Sequence, residues 1–204
     1  MSPRQSSSGI MLLSMLYAIV RYNIASDVAW SQLPLLIVNK ATAISGLILL
    51  GLAGLQRVRA NRNQMGLHAS GCLGLHCLLS LMLLSPAQFE TLYQNETHLL
   101  TWQGSLAMLC GALGIIGQII LWRRSMVVQQ GNQRSLVSGL GRGLLLLAAM
   151  HVALIGYSNW NQWQSWPATL PPITLIGCLT AVGLAVANHL RKRAPVTVDN
   201  TADD

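Results

Sequence analysis

The sequence predicts an all-α integral membrane protein, a six-helix bundle with both termini on the cytoplasmic side. Three observations carry that expectation. Only 9% of the 204 residues are charged and 52% are hydrophobic, whereas an ordinary soluble domain carries about 25% charged residues. Apolar stretches long enough to cross a bilayer recur along the chain, joined by short connections. The basic residues gather in alternate connections, the pattern that sets membrane orientation.

The elements follow in order. Residues 1–8 read as a polar N-terminal tail, and residues 9–190 as the transmembrane domain. The first span is Gly9–Ile24, short and weakened by Arg21 and Asn23 near its end. No small-residue cleavage motif follows it, so it reads as a retained span rather than a signal peptide. The second is Pro34–Leu55, with Lys40 near its start, and the third is Gly66–Ser85. Leu99–Trp122, Leu136–Tyr157 and Ala168–Leu190 complete the set. Most run to about 20 residues, the length that matches a hydrocarbon core of about 30 Å at 1.5 Å per residue. Short connections make consecutive helices antiparallel neighbours. Residues 191–204 read as a basic and then acidic cytoplasmic tail without an apolar face, a disordered segment by composition.

Arg57, Arg59 and Arg62 lie between spans two and three, and Arg123, Arg124 and Arg134 between four and five. Arg191, Lys192 and Arg193 follow span six. Asp27, Glu90 and Glu96 lie in the alternate connections, as does the neutral stretch Asn159–Pro172 with Trp160, Trp163 and Trp166. Every basic cluster falls on one side when both termini are cytoplasmic. The indoles read as an interfacial belt or as a docking surface for a partner on the outer face. The formal charge of +7 therefore reports topology, and nothing suggests nucleic-acid binding: no basic helix face or aromatic interleaving is present.

Four cysteines, Cys72, Cys77, Cys110 and Cys178, fall inside apolar spans without a CxxC pair and read as small packing residues. Gly139-x-x-x-Gly143, with Gly111, Gly114 and Gly117, offers close helix contacts and specifies no chemistry. Asn95-Glu96-Thr97 matches a glycosylation sequon, a triplet that also arises by chance.

Chemistry enters through two histidines inside separate apolar spans. An imidazole in the bilayer is costly unless it pairs, ligates something or faces a polar cavity. His76 lies ten residues before Pro86, roughly 15 Å below that end at helical rise. His151 lies eight residues before Asn159, roughly 12 Å below its own end. Both helices run outward, so the two rings share one level in the outer half of the bilayer. Matched imidazoles on two helices are the arrangement that holds a haem iron from both sides. Ala69, Cys72 and Ser80 lie on the face of His76, and Leu144, Leu147, Ala148 and Ile155 on the face of His151. Such neighbours leave room for a flat macrocycle and equally suit close helix packing. The plainer alternative for each histidine is a hydrogen bond to a backbone carbonyl or to a nearby Ser or Asn.

His68 and His189 read as interface residues, while His98 is a further candidate for contact with a haem propionate or a quinone head. Arg21 and Lys40 lie at the outer ends of spans one and two. They either snorkel to water or meet propionates or an anionic partner. No carboxylate lies within a span, which argues against a proton pump or cation-coupled transporter.

The stretches Leu16–Asn23, Asn39-Lys40-Ala41, Arg62 with Met65-Gly66-Leu67 and Leu75-His76, and Met150–Gly156 resemble the ferric reductase-like transmembrane family over about residues 10–190. That resemblance implies a six-helix b-type cytochrome core that moves electrons across the membrane. Typical members hold two stacked haems with two histidines, about thirteen residues apart, on each of two helices. This chain departs from the pattern: Ser138 stands thirteen residues before His151, and no histidine stands fourteen residues from His76. One pair survives, which implies a single haem b on the outer side, other ligands for an inner haem, or a scaffold without redox function.

The expectation is a membrane b-type cytochrome with His76 and His151 as axial ligands. It relays electrons between a membrane donor such as a quinol and an outer-face or membrane protein partner, in the inner membrane of a bacterium. Quinone is a further candidate ligand. Nicotinamide or flavin chemistry must come from another polypeptide, since no glycine-rich dinucleotide loop is present. If enzymatic at all, the chain is the electron-transfer subunit of an oxidoreductase. The alternative is a non-redox structural or assembly subunit of a larger membrane complex.

Overall fold

The computed structural model describes residues 2–26, 28–94, 96–127 and 134–193. Asp27, the sequon residue Asn95 and residues 194–204 of the expected tail lie outside the described residues. Six α-helices make up the architecture: α1 (Pro3–Ile19), α2 (Val38–Leu55), α3 (Arg59–Leu83), α4 (Trp102–Val127), α5 (Arg134–Gly156) and α6 (Ile173–Arg193). Among the described residues the only β pairing is an isolated bridge between Tyr93 and Leu100.

Five helical segments are long and apolar enough to cross a membrane: Trp30–Leu55, Ala60–Leu83, Trp102–Arg124, Gly139–Asn159 and Pro167–Arg191. Their outward faces carry exposed Leu78, Leu81, Met82, Leu109, Ile116, Ile119 and Leu179. A surface of that kind calls for a bilayer as its solvent. The expected first span is helical as well but is not among these five, and it begins earlier, inside what reads as a polar tail. Ser2 caps it: its hydroxyl accepts from the Gln5 amide, the Gln5 side chain accepts from the Ser2 amide, and Pro3 occupies the first turn. This is a capping box with an N-terminal proline, a strong start signal that hydropathy ignores. At its far end α1 widens into a π-helical turn over Val20–Ile24, and a second π-helical turn, Leu33–Ile37, leads into α2. Such turns are frequent at functional sites.

The centre of the bundle is α2. It packs on α1, α3, α5 and α6, while α5 packs on α4 and α6. Of its apolar window 61% is buried, against 11–28% for the other four. The core joins Leu49, Leu50 and Ala53 of α2 to Met65 and Ala69 of α3, Leu144 and Leu145 of α5, and Ala185 of α6. Consecutive helices are neighbours as expected, except that α3 and α4 touch only lightly. One tie between them is the Gln118 side chain, which donates to the Ser70 hydroxyl at 2.5 Å.

Close approach between α2 and α6 depends on glycine. A Cβ at Gly51 would run into the Leu184 side chain, and the Asn188 amide donates to the Gly51 carbonyl at 3.0 Å. Small residues that let backbones meet are a main source of helix association in lipid. Replacing Gly51 with Val is therefore expected to cost about 1–3 kcal/mol by overpacking. Thermal unfolding in detergent, followed by circular dichroism, should shift downward, and an unchanged midpoint would show that this contact is not tight. The glycines singled out from sequence divide differently: Gly114, Gly139 and Gly143 face open space, whereas Gly117 meets Leu144 and Gly111 meets His151.

Candidate functional site

His76 sits seven residues before the end of α3 and His151 five before the end of α5, so both lie roughly 10 Å or less below those ends at helical rise. Each ring is anchored at one nitrogen. His76 Nδ1 lies 2.6 Å from Asn39 Oδ1 and 3.3 Å from the Asn39 carbonyl oxygen. The Ser80 hydroxyl donates to the same Asn39 Oδ1 at 3.2 Å. His151 Nδ1 lies 2.7 Å from the Ala107 carbonyl oxygen of α4. Oxygens of this kind only accept, so Nδ1 carries the proton in both rings. The lone pair of each neutral imidazole is thereby left on Nε2, which makes no hydrogen bond among the described residues.

The elements position these groups for clear reasons. Asn39 is the second residue of α2 and is buried, so the start of the central helix faces the outgoing end of α3. Ala107 and Gly111 are one turn apart on α4, and the His151 ring lies beside both. A Cβ at Gly111 would come within 3.3 Å of its Cε1. α3 and α5 meet in the core through Met65, Ala69, Leu144 and Leu145, while His76 is turned to Asn39 of α2 and His151 to Ala107 of α4.

These features bear on haem binding. A histidine ligand ordinarily donates its second N–H to a carbonyl or carboxamide, which fixes tautomer and ring orientation. Both histidines have such an acceptor at Nδ1. Among the described residues no group of three or more His, Cys, Asp or Glu gathers around one point. A haem asks the protein for two ligands only. The plainer alternative, an imidazole satisfied by a carbonyl or an Asn, is met at Nδ1 and leaves Nε2 unexplained.

The other candidates fare unevenly. Arg21 does not snorkel: it is only 7% exposed, and its guanidinium donates to the Leu170 carbonyl while facing the Tyr22 ring. The loop after α5 folds back over the end of α1, where the Tyr17 hydroxyl also donates to the Pro171 carbonyl at 2.5 Å. That loop captures the arginine before water can. Lys40 Nζ lies 4.8 Å from the centre of the Tyr22 ring. His98 is exposed on the loop before α4, in a left-handed conformation with φ 53°, and does not join His76 or His151. His68 lies 2.7 Å from the Ser7 hydroxyl, and His189 pairs with Arg142. The indoles of Trp160 and Trp166 tie their loop down through Thr174 and the Asn159 carbonyl. Trp30, Trp102 and Trp163 stand exposed at the same end of the bundle, as an interfacial belt requires.

Sequence reasoning missed Asn39, the Ala107 carbonyl and Gly111 as partners of the histidines. The signal for Asn39 was available: it is a carboxamide in an apolar span near the level of His76. No protein-family model matches the chain, and no curated protein does.

Proposed function

We propose that this protein is a membrane b-type cytochrome, with one haem b held between His76 and His151. It relays electrons between a membrane donor such as a quinol and a partner on the outer face. The observation that carries this reading is the matched state of the two half-buried rings. Both are pinned through Nδ1–H, both keep the Nε2 lone pair, and both sit near the same end of their helices. The resemblance of residues 10–190 to the ferric reductase-like transmembrane family points the same way.

When bound, the haem supplies a one-electron carrier that the side chains lack. The chain's own residues do the rest. Asn39 and Ser80 hold the His76 ring in one tautomer and one orientation, and Ala107 does the same for His151. Gly111 lets the second ring lie against α4. Leu144, Leu147 and Ile155 keep the surroundings of α5 apolar, which excludes water and favours an outer-sphere transfer over ligand exchange. In this reading both termini are cytoplasmic, the membrane is a bacterial plasma membrane, and the chain acts as the electron-transfer subunit of an oxidoreductase.

A second reading, a structural or assembly subunit without redox function, draws on the same hydrogen bonds, since they would also satisfy packing histidines. One experiment separates the two. Detergent-purified protein, expressed with ample haem supply, is expected to give a haem b band in a dithionite-reduced minus oxidised spectrum. His76→Ala and His151→Ala should each abolish the bis-histidine band. A folded, colourless wild type would sink the cytochrome reading and promote the structural one.

A further inference from the structure

A cavity of about 610 Å³ lies between α1 and α3, a size within the range of small-molecule sites. Leu49 of α2 with Cys72 and Leu75 of α3 make its lining apolar. Leu12 and Leu67 also line it and are 69% and 56% exposed, so its mouth opens on the surface that meets lipid. One end is polar. The Ser7 hydroxyl donates to the Pro3 carbonyl at 2.9 Å, which uses its only proton. Toward His68, 2.7 Å away, Ser7 Oγ can therefore only accept, and the proton of that contact belongs to His68 Nδ1. The neutral ring keeps its lone pair on Nε2, which makes no hydrogen bond among the described residues. The cavity thus combines apolar walls, a mouth toward the bilayer and one fixed acceptor.

Its occupant must come from the membrane, be neutral and offer a donor at its head. We propose that this cavity binds a quinol, with one hydroxyl donating to His68 Nε2; the choice of a reducing ligand rests on the cytochrome reading. The carbonyls of a quinone and the phosphodiester of a phospholipid only accept, so neither gains from Nε2. Depth also favours a neutral head. His68 stands six residues beyond Arg62, roughly 9 Å at helical rise, past the basic residues that mark the headgroup level. A charged lipid head at that depth is costly, and a hydroquinone ring is not. The lining runs from His68 to Leu75, the residue before His76, and the two histidines are roughly 12 Å apart along α3. A bound quinol would stand beside the helix that carries one haem ligand.

Decylubiquinol, a quinol with a short tail, is titrated by calorimetry into the full-length dithionite-reduced protein in detergent. Decylubiquinone is titrated into the oxidised protein, so that neither titration moves an electron. Wild type should bind the quinol more tightly by about five- to tenfold, the size of one hydrogen bond. His68→Leu should erase that preference and leave quinone affinity unchanged; it strands no donor, since Ser7 still donates to Pro3. Gly71 lines the cavity, and a Cβ there meets nothing within 4 Å. Gly71→Leu should therefore fill the space, weaken quinol binding by at least about tenfold and leave the haem spectrum as in wild type. Equal binding of the two forms by wild type, or quinol affinity that survives Gly71→Leu, would overturn the proposal. Phospholipid that copurifies with wild type and is lost in Gly71→Leu, with quinol affinity unchanged, would assign the cavity to lipid instead. The haem band is read in the same samples. A haem-loaded wild type that binds no quinol overturns the quinol site alone, and a colourless one that binds it overturns the cytochrome reading alone.

Discussion

Asn39→Leu is expected to weaken haem b binding by about 10- to 100-fold, the usual effect of removing a hydrogen-bond partner behind a metal-ligating histidine. The substitution keeps the approximate volume of a side chain that is only 5% exposed, so packing should survive. What disappears is the acceptor 2.6 Å from His76 Nδ1 and the acceptor of the Ser80 hydroxyl. The backbone carbonyl of residue 39 remains at 3.3 Å, too long to fix the ring alone. Leaving buried donors unpaired should also cost about 1–3 kcal/mol of stability. Asn39→Asp provides the control, because it retains the acceptor. A carboxylate behind the imidazole makes the ligand more basic, so haem should be kept and its midpoint potential should move to more negative values. Haem titration and a redox titration read the two variants separately. Wild-type affinity in Asn39→Leu would remove Asn39 from the site.

The extent to which the sequence announces this molecule depends on which interaction decides each feature. Helices from residue 34 onward were legible to within about five residues, because burying an unpaired backbone in lipid leaves little choice but helix; the exception is α3, which starts at Arg59, seven residues before the expected span and inside the expected basic connection. The start of α1 was misread for the opposite reason: Ser2, Pro3 and Gln5 start the helix through local hydrogen bonds, to which hydropathy is blind. Nor could hydropathy find the central helix. The windows of α2 and α4 have mean hydropathies of 1.9 and 2.0, yet 61% and 22% of them are buried. Lipid and protein interior are equally apolar solvents, so apolar content alone does not tell which face meets which. The contacts at Gly51 and Gly54, which bring α6 onto α2, were absent from the sequence reading.

The histidines were legible because an ionisable ring in an apolar span demands explanation by itself. Their partners were not, since a backbone carbonyl such as that of Ala107 leaves no mark on the sequence. Arg21 shows the limit of depth arguments. Its position at a span end suggested a side chain that reaches water, and only the fold of the distant loop around Leu170 decided otherwise.

Gly111→Leu is expected to abolish the haem band while the helices remain intact. The argument rests on two residues of one helix face. Ala107 offers its carbonyl to His151 Nδ1 at 2.7 Å, and Gly111, one turn later, leaves the space that the ring then occupies. A Cβ at 111 would stand 3.3 Å from His151 Cε1 and 3.5 Å from Nδ1, so Ala is at the edge of tolerance and Leu is beyond it. Forcing the ring aside costs about 1–3 kcal/mol of overpacking and breaks the hydrogen bond that aims Nε2. Glycine inside a helix is itself less favourable than alanine by about 1 kcal/mol. The two effects therefore oppose each other in Gly111→Ala, where helix stability should rise or hold as haem affinity falls. Gly114 meets nothing within 4 Å, so Gly114→Ala should gain the helix term and lose no haem. Thermal unfolding of the apoprotein and haem titration, run on the three variants, separate the two terms. A general destabilisation would move both readouts down together. Unchanged haem binding in Gly111→Leu would mean that the His151 ring does not need the surface of α4 in order to ligate.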